Sequence, residues 1–196
     1  MTALDSRLPS PRTATGATLW LTGLPRAGKT TLATALAARL RARGVGAVEN
    51  LDGDEVRAFL SQGLGFSRED RDTNVLRIGW VAATLAKHGV LVLASVISPY
   101  AATRDAVRAL HDERRAAFLE VHVATPVEVC SERDVKGLYA RQRAGELTGL
   151  TGVDAPYEAP TAPAARIPTQ EQSLDESVEQ LLAVLVERGL VAGVTA

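Results

Sequence analysis

The chain has 196 residues, 46% of them hydrophobic and 23% charged, with a formal net charge of -1. That length fits one domain able to bury its own core, and the charge balance excludes a general electrostatic grip on nucleic acid, which needs a marked basic excess. A single cysteine, Cys130, excludes an internal disulfide and suits a reducing cytoplasm, and no apolar run approaches the ~18 residues that span a bilayer.

Met1 to Ala17 is rich in Ser, Thr, Pro and Arg and reads as a disordered tail. The domain is predicted over 18–190, with 191–196 as a second tail. Thr18 to Thr22 is a short apolar run stopping at Gly23, as a buried strand does. From Lys29 to Arg43 the spacing turns helical, with Leu32, Leu36 and Leu40 on one face and Gly44 as the stop. Ala47 to Leu51 reads as a strand ending on the acidic turn Asp52-Gly53-Asp54, Glu55 to Leu60 as a short helix, and Arg68 to His88 as a long one. Val90 to Ile97 is the most apolar run and is predicted as a central strand. A helix over Ala101 to Arg115 and a strand over Phe118 to Ala124 follow. Pro126 suits the first turn of a helix ending near Arg133, in which Cys130 is a buried structural thiol. Asp134 to Glu146 is charged and helical, Thr148 to Pro163 is loop, and Ser173 with Glu176 forms a capping box. Leu174, Val178, Leu181, Leu182 and Leu185 then make an apolar stripe up to Gly189. Strands alternating with helices predict an α/β domain, a mostly parallel sheet flanked by helices on both faces.

Gly23 to Thr30 (GLPRAGKT) fits G-x-x-x-x-G-K-[ST] between a strand and a helix, the context a phosphate loop requires. Backbone N–H groups at Gly23, Arg26, Ala27, Gly28, Thr30 and Thr31 would cradle the phosphates of ATP, with Lys29 reaching the β- and γ-phosphates. The Thr30 hydroxyl would ligate Mg²⁺. No GTPase-like D-x-x-G follows the central strand and no N-K-x-D guanine reader is present, so a phosphotransferase fits better than a GTPase switch. A kinase needs a second pocket for an acceptor hydroxyl, at the carboxyl ends of the other strands.

Three segments meet that need. In the first, Asp54 can face the acceptor and the metal, with Arg57 one turn beyond; the other reading is an acidic turn capping a helix, and Asp52 can cap while Asp54 works. In the second, Phe66, Arg71 and Asn74 combine an aromatic for stacking, a cation for an anion and an amide for a base edge. The segment reads equally well as a solvated helix start capped by Ser67. The third, Ser95 to Tyr100, would hold Ser98 extended before Pro99 with its hydroxyl exposed beside the phosphates, or is simply a strand-ending turn.

In this order Gly23–Thr31, Leu51–Arg57, Leu64–Asn74, Ile97–Tyr100, Arg133–Tyr139 (RDVKGLY) and Ala144–Pro160 resemble the adenylylsulfate kinases, over nearly all of Thr18 to Gly189. GLGFSREDRDTN and RDVKGLY are far more specific than the phosphate loop. The resemblance implies a P-loop fold and Mg²⁺-dependent transfer of the ATP γ-phosphate to the 3′-hydroxyl of adenylylsulfate. It also implies a cytoplasmic homodimer. Asp54 resembles the family's carboxylate near the 3′-hydroxyl and metal. Asp52, Arg57, Phe66, Arg71, Asn74, Ile97, Ser98, Gly149 and Leu150 resemble its acceptor-binding set. Ser98 matches the family's phosphoenzyme serine, although direct in-line transfer needs only positioning and charge stabilisation. Lys136 would belong to a lid over about 134–152, and Arg133 would pack on the ATP base. Two departures stand out. Pro25 and Arg26 replace the Ser-Gly of the common GLSGAGKTT loop, removing one N–H and placing a cation whose side chain is expected to face solvent. Leu150 stands where many relatives have an aromatic. Competing readings are a kinase of this fold specialised for another nucleotide-like acceptor and a nucleotide-binding module without catalysis.

Overall fold

The computed structural model describes residues 16–134 and 137–192. Its first strand, β1 (Ala17–Thr22), is buried along its whole length and hydrogen-bonds on both sides. The remaining elements are α1 (Lys29–Ala42), β2 (Val48–Asp52), α2 (Gly53–Phe59), α3 (Arg68–Lys87), β3 (Leu91–Ser95), α4 (Ala101–Glu113), β4 (Ala117–Val123), α5 (Val127–Glu132), α6 (Leu138–Arg143), β5 (Ala165–Ile167) and α7 (Leu174–Glu187). The sheet order is β2-β3-β1-β4-β5, with every pairing parallel. The most apolar run, β3, is therefore interior but sits beside β1 rather than in the middle.

Alternation along the strands sorts the core into two layers. Leu19, Leu21, Leu93, Leu119 and Val121 face α1 and α7, joining Leu32, Leu36, Leu181 and Leu185. Trp20, Ala94 and Phe118 face the other way, against Val75 and Ile78 of α3 and Val107 of α4. The two long helices on that side approach closely at Gly79, where an added Cβ would lie 2.6 Å from a methyl of Val107. On the same face Glu120 of β4 accepts from Arg104 (2.5 Å) and Arg108 (3.1 Å). Arg104 also donates to the backbone oxygens of Ser98 (2.8 Å) and Glu158 (2.7 Å), tying the turn after β3 and a distant loop to β4.

Helix ends follow their residues. Asp52 caps α2 through the Asp54 N–H, Ser67 caps α3, and Ser173 with Glu176 forms the expected capping box on α7. Gly44 and Gly89, just past α1 and α3, take positive φ, the stop that a glycine provides. Three expectations change. Pro126 is the N-cap of α5 rather than a first-turn residue. Leu174 is 45% exposed, while the rest of its stripe packs inward. The short strand β5 falls just beyond the Thr148 to Pro163 loop, where no strand was expected. Cys130 is buried with its thiol pushed up by burial, the structural thiol the sequence suggests. Among the described residues no helix is long and apolar enough to cross a membrane.

Candidate active site

The carboxyl ends of β1, β2 and β3 open onto one cleft of ≈ 780 Å³. The phosphate loop forms its floor. Gly23 leaves β1 with φ 155°, and a Cβ there would meet the Val123 oxygen at 2.5 Å, so only glycine fits. Gly28 (φ 102°) caps α1, which directs the positive end of that helix into the cleft. The loop is held from outside by its carbonyls. Tyr139 Oη donates to Pro25 O at 3.0 Å, while Thr125 and Thr169 donate to Ala27 O at 2.8 and 3.2 Å.

Lys29 Nζ donates to Gly23 O (3.0 Å) and Leu24 O (2.8 Å). Burial lowers its pKa to about 8, against opposing pulls from Cys130, Asp52 and Asp54. Thr30 and Thr31 line the cleft as exposed residues. The Thr30 hydroxyl donates to Asp52 Oδ2 at 2.6 Å, and the other oxygen of that carboxylate accepts from Asp54 N at 2.9 Å. Asp52 thus serves as the helix cap, as expected, and also as the carboxylate that meets Thr30. Asp54 lies in the same cleft, exposed.

On the acceptor side, the Arg57 guanidinium sits 4.4 Å from the centroid of the Phe66 ring and donates to Gly65 O at 3.0 Å. Phe66 is 68% exposed, so the ring face away from Arg57 is open to a planar partner. Arg71 donates to Phe66 O (2.8 Å), Thr151 Oγ1 (2.5 Å) and Gly149 O (2.5 Å). It therefore stitches α3 to the later loop, a tie that neither sequence reading of this segment contains. Asn74 is buried and lines the cleft, with no hydrogen-bond partner for its Oδ1 among the described residues. A buried orphan acceptor facing a cleft is what a ligand N–H would satisfy. Gly149 and Leu150 are held by the Asp154 carboxylate, which accepts from both N–H groups (2.8 and 2.6 Å). Leu150 is buried in the core cluster as well as lining the cleft.

Ser98 departs from expectation. Its φ is 40°, left-handed rather than extended. It is buried, and its Oγ accepts from Trp20 Nε1 (3.0 Å) and donates to Thr22 Oγ1 (3.0 Å). The hydroxyl expected beside the phosphates is engaged by an internal network, although Ser98 lines the cleft together with Ile97. Arg133 also lines the cleft, held by Thr169 Oγ1 at 2.8 Å. Lys136 lies outside the described residues.

The residues that sequence reasoning missed are hydroxyls and backbone partners: Thr125, Tyr139 and Thr169 behind the loop, Asp154 under Gly149, and Arg104. Ser95 is a further one, buried on the cleft wall with an unpartnered hydroxyl among the described residues. Only its register opposite Asp52 would have pointed to it.

A parallel sheet with a phosphate loop after its middle strand, and a second pocket at the neighbouring strand ends, defines a P-loop kinase. The family model for adenylylsulphate kinase matches residues 15–168. Curated adenylyl-sulfate kinases are 51% identical over 90% of this chain in a Picosynechococcus species (97% of that protein) and 52% identical over 94% in Chloroflexus aurantiacus (also 97%). Among solved structures, the Mycobacterium tuberculosis APS kinase CysC in complex with AMPPNP and APS superposes with a TM-score of 0.83 at 41% identity, covering 87% of this chain and 97% of that one. The chain belongs to the adenylylsulfate kinase family, enzymes that transfer phosphate to an alcohol group.

Proposed function

We propose that this kinase moves the γ-phosphoryl group of ATP to the 3′-hydroxyl of adenylylsulfate, giving 3′-phosphoadenylylsulfate and ADP. The observation that carries the reading is the pairing of an anion-binding loop with a second half of the cleft built for a nucleotide. There an open Phe66 face backed by Arg57 meets the orphan Asn74 acceptor. Adenine would stack on Phe66 and donate its amino group to Asn74 Oδ1. Arg57, and Arg71 through the N–H groups it has left, would face the anionic end.

On the donor side the loop N–H groups hold the phosphates, and Lys29 leaves the Gly23 and Leu24 oxygens for the β/γ-phosphates. Hard oxygen donors at Thr30 and Asp52, with Asp54 close by, fit Mg²⁺, which commonly takes one or two carboxylates plus phosphate oxygens. Mg²⁺ held there would neutralise charge on the transferring group. In the step itself, the acceptor oxygen forms a bond to γ-phosphorus as the bond to the ADP oxygen breaks. The hydroxyl proton goes to the Asp54 carboxylate. Ser98 takes no covalent part, because its hydroxyl is engaged with Trp20 and Thr22. The segment over about 134–152, including Lys136, would close over both substrates and exclude water. We place the reaction in the cytoplasm and read the assembly as a homodimer, which light scattering of the purified chain tests.

The deciding assay is purified protein with ATP, Mg²⁺ and adenylylsulfate, with nucleotides resolved by chromatography. Stoichiometric ADP and a 3′-phosphorylated product are expected. Turnover only with a different acceptor would overturn the substrate assignment, and ATP binding without transfer would overturn the enzyme.

A further inference from the structure

The phosphate loop carries one side chain that this mechanism leaves without a task. Arg26 occupies the position where the common family loop has glycine, and its φ is 66°. That left-handed region is costly for any residue with a Cβ. Strain of this kind at a site is a reason to look for a function. Arg26 is half-buried and lines the cleft with Lys29 and Thr30. Among the described residues no oxygen accepts a hydrogen bond from its guanidinium and none forms an ion pair with it. Its charge is nevertheless felt at Lys29, where it opposes protonation. A half-buried cation with no acceptor among the described residues, sharing a cleft with a second cation, calls for an anion between them. The group that the loop is built to hold is one.

We propose that Arg26 closes on the γ-phosphoryl group of ATP as a second cation of the phosphate loop, beside Lys29. The proposal rests on the kinase reading above. It adds a contact that a glycine loop cannot make. As the γ-phosphorus leaves the ADP oxygen for the acceptor oxygen, and the hydroxyl proton passes to Asp54, Arg26 gives and takes no proton. It holds equatorial oxygens whose charge is spread in the transition state. Contact with the γ-phosphoryl oxygens rather than with the α- or β-phosphates makes its effect specific to ATP over ADP.

The test uses the full chain and three variants, Arg26→Gly, Arg26→Met and Arg26→Lys. Affinity for ATP and for ADP, each with Mg²⁺, is measured by calorimetry, and kcat is measured with adenylylsulfate. Loss of the guanidinium should weaken ATP by about tenfold and leave ADP within about twofold, the worth of one charge-assisted contact. The kcat should fall by about 10- to 100-fold, short of the largest arginine effects in phosphoryl transfer, and Arg26→Lys should restore part of it. Arg26→Gly should at the same time raise Tm by about 2–4 °C, because it relieves the backbone. A variant more stable yet weaker for ATP alone is the signature. An unchanged ATP-to-ADP ratio in Arg26→Gly overturns the proposal, whether both affinities hold or both fall together. The binding arm needs no acceptor. A protein inactive on adenylylsulfate would refute the substrate and still report on Arg26.

Discussion

Asp52 and Asp54 stand two residues apart, and the mechanism proposed above gives them separate tasks that can be tested. The Asp52 carboxylate bonds the Thr30 hydroxyl with one oxygen and the Asp54 N–H with the other. Removing it in Asp52→Ala takes away a helix cap, worth about 1 kcal/mol, and a partly exposed charge-assisted bond worth about 0.5–1 kcal/mol after solvent screening. The sum is about 1.5–2 kcal/mol, or a Tm lower by about 3–8 °C at this chain length. Asparagine caps as well as aspartate, so Asp52→Asn should keep Tm within about 2 °C while losing the negative charge offered to Mg²⁺. Its Mg²⁺ requirement should rise by about 10- to 100-fold, the usual cost of damaging a metal ligand set. Asp54→Asn should do the reverse. ATP·Mg²⁺ affinity should stay within about threefold, and kcat should fall by about 10²–10⁴, the range for a lost general base. Magnesium titrations of ATP binding by calorimetry, thermal melts and initial rates complete the comparison. If Asp54→Asn shifts the magnesium requirement and Asp52→Asn does not, the assignment drawn from the Thr30 contact is wrong.

Lys29 predicts a proton effect. Its folded pKa of about 8 lies below the free value of 10.5, so between those values the unfolded chain binds a proton that the fold does not, and stability contributed at Lys29 rises with pH across that window. Phosphates favour the charged amine, so ATP binding at about pH 9 should take up a large fraction of one proton, measured by calorimetry in two buffers of different ionisation enthalpy; no uptake would contradict the buried, neutralisable lysine. Gly79→Ala forces a methyl against Val107 and should lower stability by about 1–3 kcal/mol, partly offset by about 1 kcal/mol of helix propensity; a melt at or above the wild-type Tm would show that the α3–α4 contact yields. Ser98→Ala leaves the buried Trp20 indole N–H without its acceptor and should cost about 1–3 kcal/mol, while mass spectrometry of the wild type with ATP should find no phosphoserine at 98; a stoichiometric phosphoserine would restore the covalent role.

The donor half of the site was legible because its signals are local: the spacing of Gly23, Gly28, Lys29 and Thr30, with a strand before and a helix after, allows little else. The acceptor half was legible as residue types. Phe66, Arg71 and Asn74 do reach one cleft, but whether a given carboxylate meets Thr30 depends on strand register, and a helix-capping aspartate looks the same in sequence whatever its second oxygen does. Ser98 shows the limit most clearly. A serine before a proline at a strand end suggests an exposed hydroxyl, and only the tertiary placement of Trp20 and Thr22 turns it inward. β5 was missed because three residues, Ala165 to Ile167, carry too short a pattern to separate from loop; pairing with β4 alone makes them a strand.

The hydroxyls behind the phosphate loop have a consequence for how the protein comes into being. Carbonyls near residue 25 are fastened by side chains at 125, 139 and 169, from three segments made much later in synthesis. A peptide of the loop that flipped to point an oxygen at the phosphates would first have to break one of those ties. The motif therefore exists as soon as the first strand and helix are made, yet the set of ties behind it is complete only when the segment just after the last strand has docked. A growing or truncated chain that stops short of β5 would carry the phosphate loop in full, with the partners at 125 and 139 but without the one at 169.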